Sequence, residues 1–175
     1  MIIDLPYSYI IDRYDTLPGN IIFHHAERFQ WHNDHPDYDA LPLLQRFRFE
    51  RLKSEGYVNL RCAWILGCPV EIRPLKDEST PKKFEPVHAK HVYKGAFKEL
   101  FPQMAVPDEV GVACCSQFAV RRETVWEKPR EEYIRYRNWL TTSPLGDDLS
   151  GRVLEYSWHR TSYALETRKT ITDIV

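Results

Sequence analysis

His24, His25, His32 and His35 are four of the seven histidines in the chain. They fall within twelve residues, with Glu27, Asp34 and Asp37 beside them. Imidazole and carboxylate groups together suit a divalent ion such as Mn2+, Fe2+ or Zn2+, with His32 and Asp34 as the candidate ligands. The segment reads equally well as a ligand-contacting loop without metal, with Trp31 and His32 touching a substrate, or as a polar surface loop. It follows the apolar run Ile21-Ile22-Phe23. In open α/β sheets the loops after strand ends line the ligand crevice.

A second group lies late in the chain. Asp148, Arg152, Glu155 and His159 are spaced i, i+4, i+7 and i+11, which places them on one face of a helix. On that face Glu155 suits a general acid or base and His159 a proton or metal partner. Arg152 would orient Glu155 or hold a phosphate, and Asp148 would contact substrate. The plainer reading is a solvated face with intrahelical ion pairs.

The third group is Cys114-Cys115-Ser116-Gln117-Phe118-Ala119-Val120-Arg121-Arg122. A glutamine in an apolar strand needs partners once buried, so Gln117 is a candidate substrate contact. Arg121 and Arg122 are candidate phosphate contacts. The alternative is a core strand and a solvated turn. Cys62, Cys68, Cys114 and Cys115 lack the CxxC spacing of zinc or thioredoxin motifs. They read as buried thiols, with a disulfide plausible only in an oxidising compartment. A nucleophilic Cys114 or Cys115 is the minor reading. Asp37-Tyr38-Asp39 has the spacing of a divalent-ion pair, which also arises often by chance. No phosphate loop, nucleophile elbow or HExxH motif is present.

The elements that must position these groups follow from patterning. Asp4-Leu5-Pro6 starts a helix that Pro18-Gly19 stops. Ile21–His24 and Tyr57–Cys62 read as strands, and Leu41–Leu52 as one amphipathic helix closed by Gly56. Helices are expected from His91, from Pro129 to Leu140, and from Asp147 to His159. Val110–Cys115 and Gln117–Val120 read as a bent strand pair. Alternating strands and helices favour an α/β domain. The expected organisation is one domain over residues 1–160 and a loosely ordered tail over 161–175.

Composition bounds the rest. The chain has 175 residues, a formal net charge of −1 and 43% hydrophobic residues, enough for one packed core. The charge balance disfavours DNA as a partner. No run of about 20 apolar residues exists to cross a membrane, and no leader is evident. A soluble cytoplasmic protein acting on a small molecule is expected. Aromatics reach 13%, the one compositional outlier.

Several blocks carry a resemblance. They are Tyr9-Ile10-Ile11-Asp12-Arg13-Tyr14, Phe23-His24-His25, Trp31-His32-Asn33, Gly56-Tyr57-Val58-Asn59-Leu60-Arg61-Cys62, Cys114–Val120 and Ser150–His159. Together they resemble the fungal domain-of-unknown-function family 3431 over about residues 5–160. The block order is similar to nucleotide-sugar transferases, in which a comparable strand-turn and late acidic helix line an acceptor site. The resemblance implies a single α/β domain with a mixed sheet flanked by helices, GT-A-like and N-terminally shortened. It implies a glycosyltransferase-like enzyme of fungal, including secondary, metabolism. Glu155, Arg152 and His159 are then catalytic, and Gln117, His32, Trp31 and Asp148 bind substrate. Other implied readings are a non-catalytic ligand-binding member and a cyclodipeptide synthase-like enzyme using charged tRNA. The last would need a basic patch such as Lys82, Lys83, Lys90, Lys94, Arg121 and Arg122.

Overall fold

A computed structural model of the chain describes residues 4–61, 70–77, 81, 84, 86–113 and 115–161. Helix α1, Asp4–Arg13, continues into a 3₁₀ turn over Tyr14–Thr16 before Pro18 and Gly19 stop it. Strand β1, Asn20–Phe23, leads into the histidine-rich loop. The helix expected over Leu41–Leu52 is two short ones, α2 at Ala40–Gln45 and α3 at Phe49–Glu55. Asp39 caps α2, accepting from the Leu41 N–H at 2.9 Å, and so anchors the end of the loop. Gly56 closes α3 at φ 75°, in the left-handed region that glycine enters without steric cost.

Strand β2 is Tyr57–Asn59, and the next named element is α4, Ala89–Leu100. Strand β3, Phe118–Arg121, then runs directly into α5, Arg122–Val125. Helix α6 spans Arg130–Thr142 and α7 spans Asp147–Glu155. The last expected helix does not reach His159 as one piece. It breaks after Glu155, and α8 begins at Trp158. The residues of the expected tail beyond 161 lie outside the described part.

The strand order is β1-β3-β2, with both pairings antiparallel. The mixed sheet expected from the alternating pattern is therefore corrected: among the described residues it is a small antiparallel sheet of three strands. The strands are three or four residues long, and the late strand β3 inserts between two earlier ones that both run opposite to it. Among the described residues no parallel pair forms, so the sheet needs no helical crossover there. The bent strand pair expected around Val110 reduces to one bridge between Ile72 and Val110.

Aromatic rings join sheet to helices. Tyr57 stacks on Phe118 at 5.2 Å, Phe118 meets Trp158 at 5.2 Å, and Trp158 meets Tyr7 at 4.8 Å. The series continues through Tyr136, Phe101 and Phe97 to Tyr93. Each such pair adds about 0.5–1.5 kcal/mol beyond its buried area. The aromatic excess of the composition is thus largely the core itself. It seats α8 against β3 through Trp158 and Phe118, while α7 packs on α4, and that seating positions the late acidic group.

Candidate functional site

The site forms where the loop after β1, the end of β2, the turn before β3, and α7 meet. Antiparallel pairing aligns Phe23 with Phe118 and Asn59 with Phe118. The residues just beyond each strand end are consequently neighbours: the histidines after Phe23, Arg61 after Asn59, and Ser116 and Gln117 before Phe118. Sequence separation of up to 85 residues is closed in this way, as in the bond from Gln117 Nε2 to the His32 carbonyl at 3.1 Å.

Several bonds fix the frame. The Leu60 N–H donates to the Gln117 carbonyl at 3.0 Å, and the Arg61 N–H to Asn59 Oδ1 at 2.8 Å. Cys115 has φ 82°, a left-handed kink that turns the chain into β3. Trp158 Nε1 donates to Ser116 Oγ at 2.9 Å, tying α8 to that turn. Cys115 is disulfide-bonded, so its sulfur is neither a buried thiol nor a nucleophile. Cys62, Cys68 and Cys114 lie outside the described residues.

On the loop side, His25 stacks on His32 at 4.4 Å and Trp31 lies 4.1 Å from His32. Asn33 locks the loop with two bonds from Nδ2, to the Arg28 carbonyl at 2.8 Å and the Tyr38 carbonyl at 2.7 Å. His32 Nδ1 lies 2.9 Å from Gln30 Oε1, an acceptor, so the neutral ring carries its proton on Nδ1 and presents Nε2 as a lone pair. Burial first, then the charges of His25, Arg61 and Arg152, hold the His32 pKa down to about 4. Burial and then His24 lower His25 as well. Both imidazoles are neutral at pH 7.

On the helix side, Arg152 Nη1 donates to Glu155 Oε2 at 3.0 Å, the expected i, i+3 pair. The Glu155 side chain is 21% exposed. Burial pushes its carboxyl up, and Arg152 only partly opposes this. The Glu71 charge adds to the rise and the Ser116 side chain opposes it. Glu71 also hydrogen-bonds to Tyr156. Arg61 extends over the Trp31 ring at 5.5 Å.

The expected site residues are thus only partly assembled. Glu155, Arg152, His32, Trp31 and Gln117 come together. His159 sits beyond the helix break; burial lowers its pKa to about 3, and Arg160 is the other charge acting on it. Glu155 responds to Arg152, Glu71 and Ser116 instead. Asp148 is exposed on the first turn of α7. Among the described residues, no three of His, Cys, Asp and Glu group as a metal site, which leaves His32 and Asp34 without a third ligand there. Asp39 of the Asp37-Tyr38-Asp39 pair is committed to Arg28, whose guanidinium holds it at 2.8 Å and lowers its pKa to about 2. Arg121 and Arg122 are also engaged: Arg121 with Glu123 and the Lys53 carbonyl, Arg122 with the Leu17 carbonyl and the Trp126 ring. Arg61, Glu71 and Ser116 are members that the sequence reading missed. The only available signal was that each lies next to a strand or a bridge, in Asn59-Leu60-Arg61, Glu71-Ile72 and Ser116-Gln117-Phe118.

Comparison with known proteins places the chain in a family. The family described as protein of unknown function, DUF3431, matches residues 5–167, nearly the whole chain, and the chain belongs to it. No curated protein matches, and no solved structure matches.

Proposed function

We propose that this member of the DUF3431 family is an acid–base enzyme of the transferase class, glycosyltransferase-like in its chemistry, acting on a small polar substrate. The observation that carries the reading is Glu155. It is a mostly buried carboxyl, raised by burial and hydrogen-bonded to Arg152, whose charge also acts on His32 of the loop. A carboxyl raised toward working pH is a better proton acceptor than an exposed one and is also a usable donor. In the proposed step Glu155 takes the proton of an acceptor hydroxyl as that oxygen attacks the transferred carbon. The bond from that carbon to the leaving group breaks, and the leaving group departs with the electron pair.

Arg152 is a positioning residue, fixing one Glu155 oxygen. His32 Nε2, a lone pair with a depressed pKa, serves as a hydrogen-bond acceptor for the substrate. Trp31, 52% exposed beside His32, offers an apolar face for a ring. Gln117 holds the loop through the His32 carbonyl.

Glu155→Gln tests the reading, because the amide keeps the shape and cannot take the proton. Purified protein would be incubated with a panel of nucleotide sugars, and donor consumption followed. The variant should lose about 100-fold or more of the turnover. Unchanged turnover would remove Glu155 from the chemistry. Protection of the wild type against thermal unfolding by a panel member, without turnover in either protein, would favour the non-catalytic binding reading.

A further inference from the structure

Arg61 is placed by backbone and held by little else. The Asn59 side chain receives its N–H at 2.8 Å, just past the ladder of β2. Its guanidinium, by contrast, has no carboxylate among the described residues. Nη1 reaches Cys115 Sγ at 3.3 Å, a weak acceptor, and the plane lies over Trp31. Nε is buried without a hydrogen-bond partner. Arg28, Arg73, Arg121, Arg122, Arg135 and Arg152 each hold a carboxylate instead.

Among the described residues, the ion pairs around Arg61 do not supply the missing charge. The fields of both Arg61 and Arg152 reach His32, and Glu155 is already bonded to Arg152. Arg122 Nε and Arg160 Nε are also buried without a partner, but Arg122 holds Glu123 and Arg160 lies over the core ring of Phe97, whereas Arg61 shares the strand-end region with Gln117 Oε1 and His25 Nε2, which are buried and unpartnered as well. A partly buried guanidinium with an unused N–H is costly unless an anion meets it. Its planar fork suits a two-oxygen anion better than a single neutral acceptor.

We propose that Arg61 forms an oxyanion subsite, beside Trp31 and His32, that receives a phosphoryl or carboxylate group of the substrate. This rests on reading the cluster as a ligand site, not on Glu155 being its acid or base. The neutral imidazoles leave the positive charge to the guanidiniums, and Trp31 takes the uncharged part of the same molecule.

The test uses the full chain, with inorganic phosphate and acetate titrated separately by calorimetry at constant ionic strength against chloride. At least one of the two should saturate a single site, and which one does so identifies the oxyanion. Arg61→Gln should weaken that binding about 10- to 100-fold. Arg61→Lys should fall between, because it keeps the charge and loses the fork. Glu155→Gln should bind at least as well as wild type, which separates this subsite from the acid–base reading. In the wild type, the Arg61 Nε–H resonance should shift during the titration, so the proposal stays testable even where Arg61→Gln does not fold. Absence of saturation with both anions, undiminished binding by Arg61→Gln, or an unmoved Arg61 resonance would overturn it.

Discussion

The aromatic core and the histidine loop both bury polar atoms, and they satisfy them to different degrees. In the core, Tyr93 shares a hydrogen bond with Ser157 Oγ at 3.1 Å, Tyr133 donates to the Val125 carbonyl at 2.9 Å, and Tyr136 donates to Glu132 at 3.1 Å. In the histidine loop and at the strand ends beside it, the atoms His24 Nε2, His25 Nε2, Asn33 Oδ1, Arg61 Nε and Gln117 Oε1 are buried with no partner. Tyr93, Tyr133 and Tyr136 are satisfied within the core, where His159 Nδ1 and Arg160 Nε are not, whereas the loop side concentrates five such atoms and so offers the most polar capacity to something outside the chain. The two regions share a wall, because Trp158 packs on Phe118 and Tyr7 on one side and bonds Ser116 on the other.

The contrast can be broken most forcefully in the core. Phe97→Ala should cost about 3–5 kcal/mol in urea unfolding, as its fully buried ring leaves a cavity beneath Tyr93 and Phe101. A cost below 1 kcal/mol (on the order of a surface change) would mean that this layer is not packed as described. Asn33→Ala comes next. It removes both bonds that lock the loop and should cost about 1–3 kcal/mol while weakening any ligand. Unchanged stability would show the loop is held by other contacts.

Tyr93→Phe deletes one satisfied hydroxyl and should cost about 0.5–1.5 kcal/mol. Gln117→Met sharpens the comparison from the other side. It frees the His32 carbonyl but also removes an unpaired buried acceptor, so stability should stay within about 0.5 kcal/mol of wild type. Ligand binding should fall even so. A loss as large as that of Tyr93→Phe would show that the amide is structural.

The last and most confined effect is on pH. The folded-state pKa of His32 lies at about 4, below its ordinary 6.5. Between those values the unfolded chain binds more protons, so stability rises with pH there. It is fully present above 6.5 and is lost as pH falls toward 4. Melting curves from pH 7 to pH 4 should show a falling Tm, with a shallower slope in His32→Gln. An identical slope in the variant would assign the acid sensitivity elsewhere, with His159 the next group to test.

Much of this was legible from local pattern. Prolines, glycines and acidic first turns marked α1, α6 and the start of α7, because helix ends are decided by nearest neighbours along the chain. The pair Arg152–Glu155 was readable for the same reason, being spaced by one helical turn. His159 was misplaced in the same stripe because the break at Tyr156 and Ser157 carries no proline or glycine. Ser157 instead bonds back to the Val153 carbonyl at 2.8 Å and to Tyr93, a contact made across the core.

By itself the sequence determined the family, an α/β composition of short strands and helices, and which side chains had chemistry to offer: the histidine cluster, Glu155 with Arg152, and Gln117. Only the tertiary structure decided which of them meet. Antiparallel pairing of three very short strands brings residues 32, 61 and 117 to one end of the sheet, and the packing of the last helices brings Arg152, bonded to Glu155, within reach of His32. Strand pairing is a non-local choice set by which apolar faces can be buried together. It therefore leaves no trace in the spacing of Arg61, Glu71 or Ser116 along the chain.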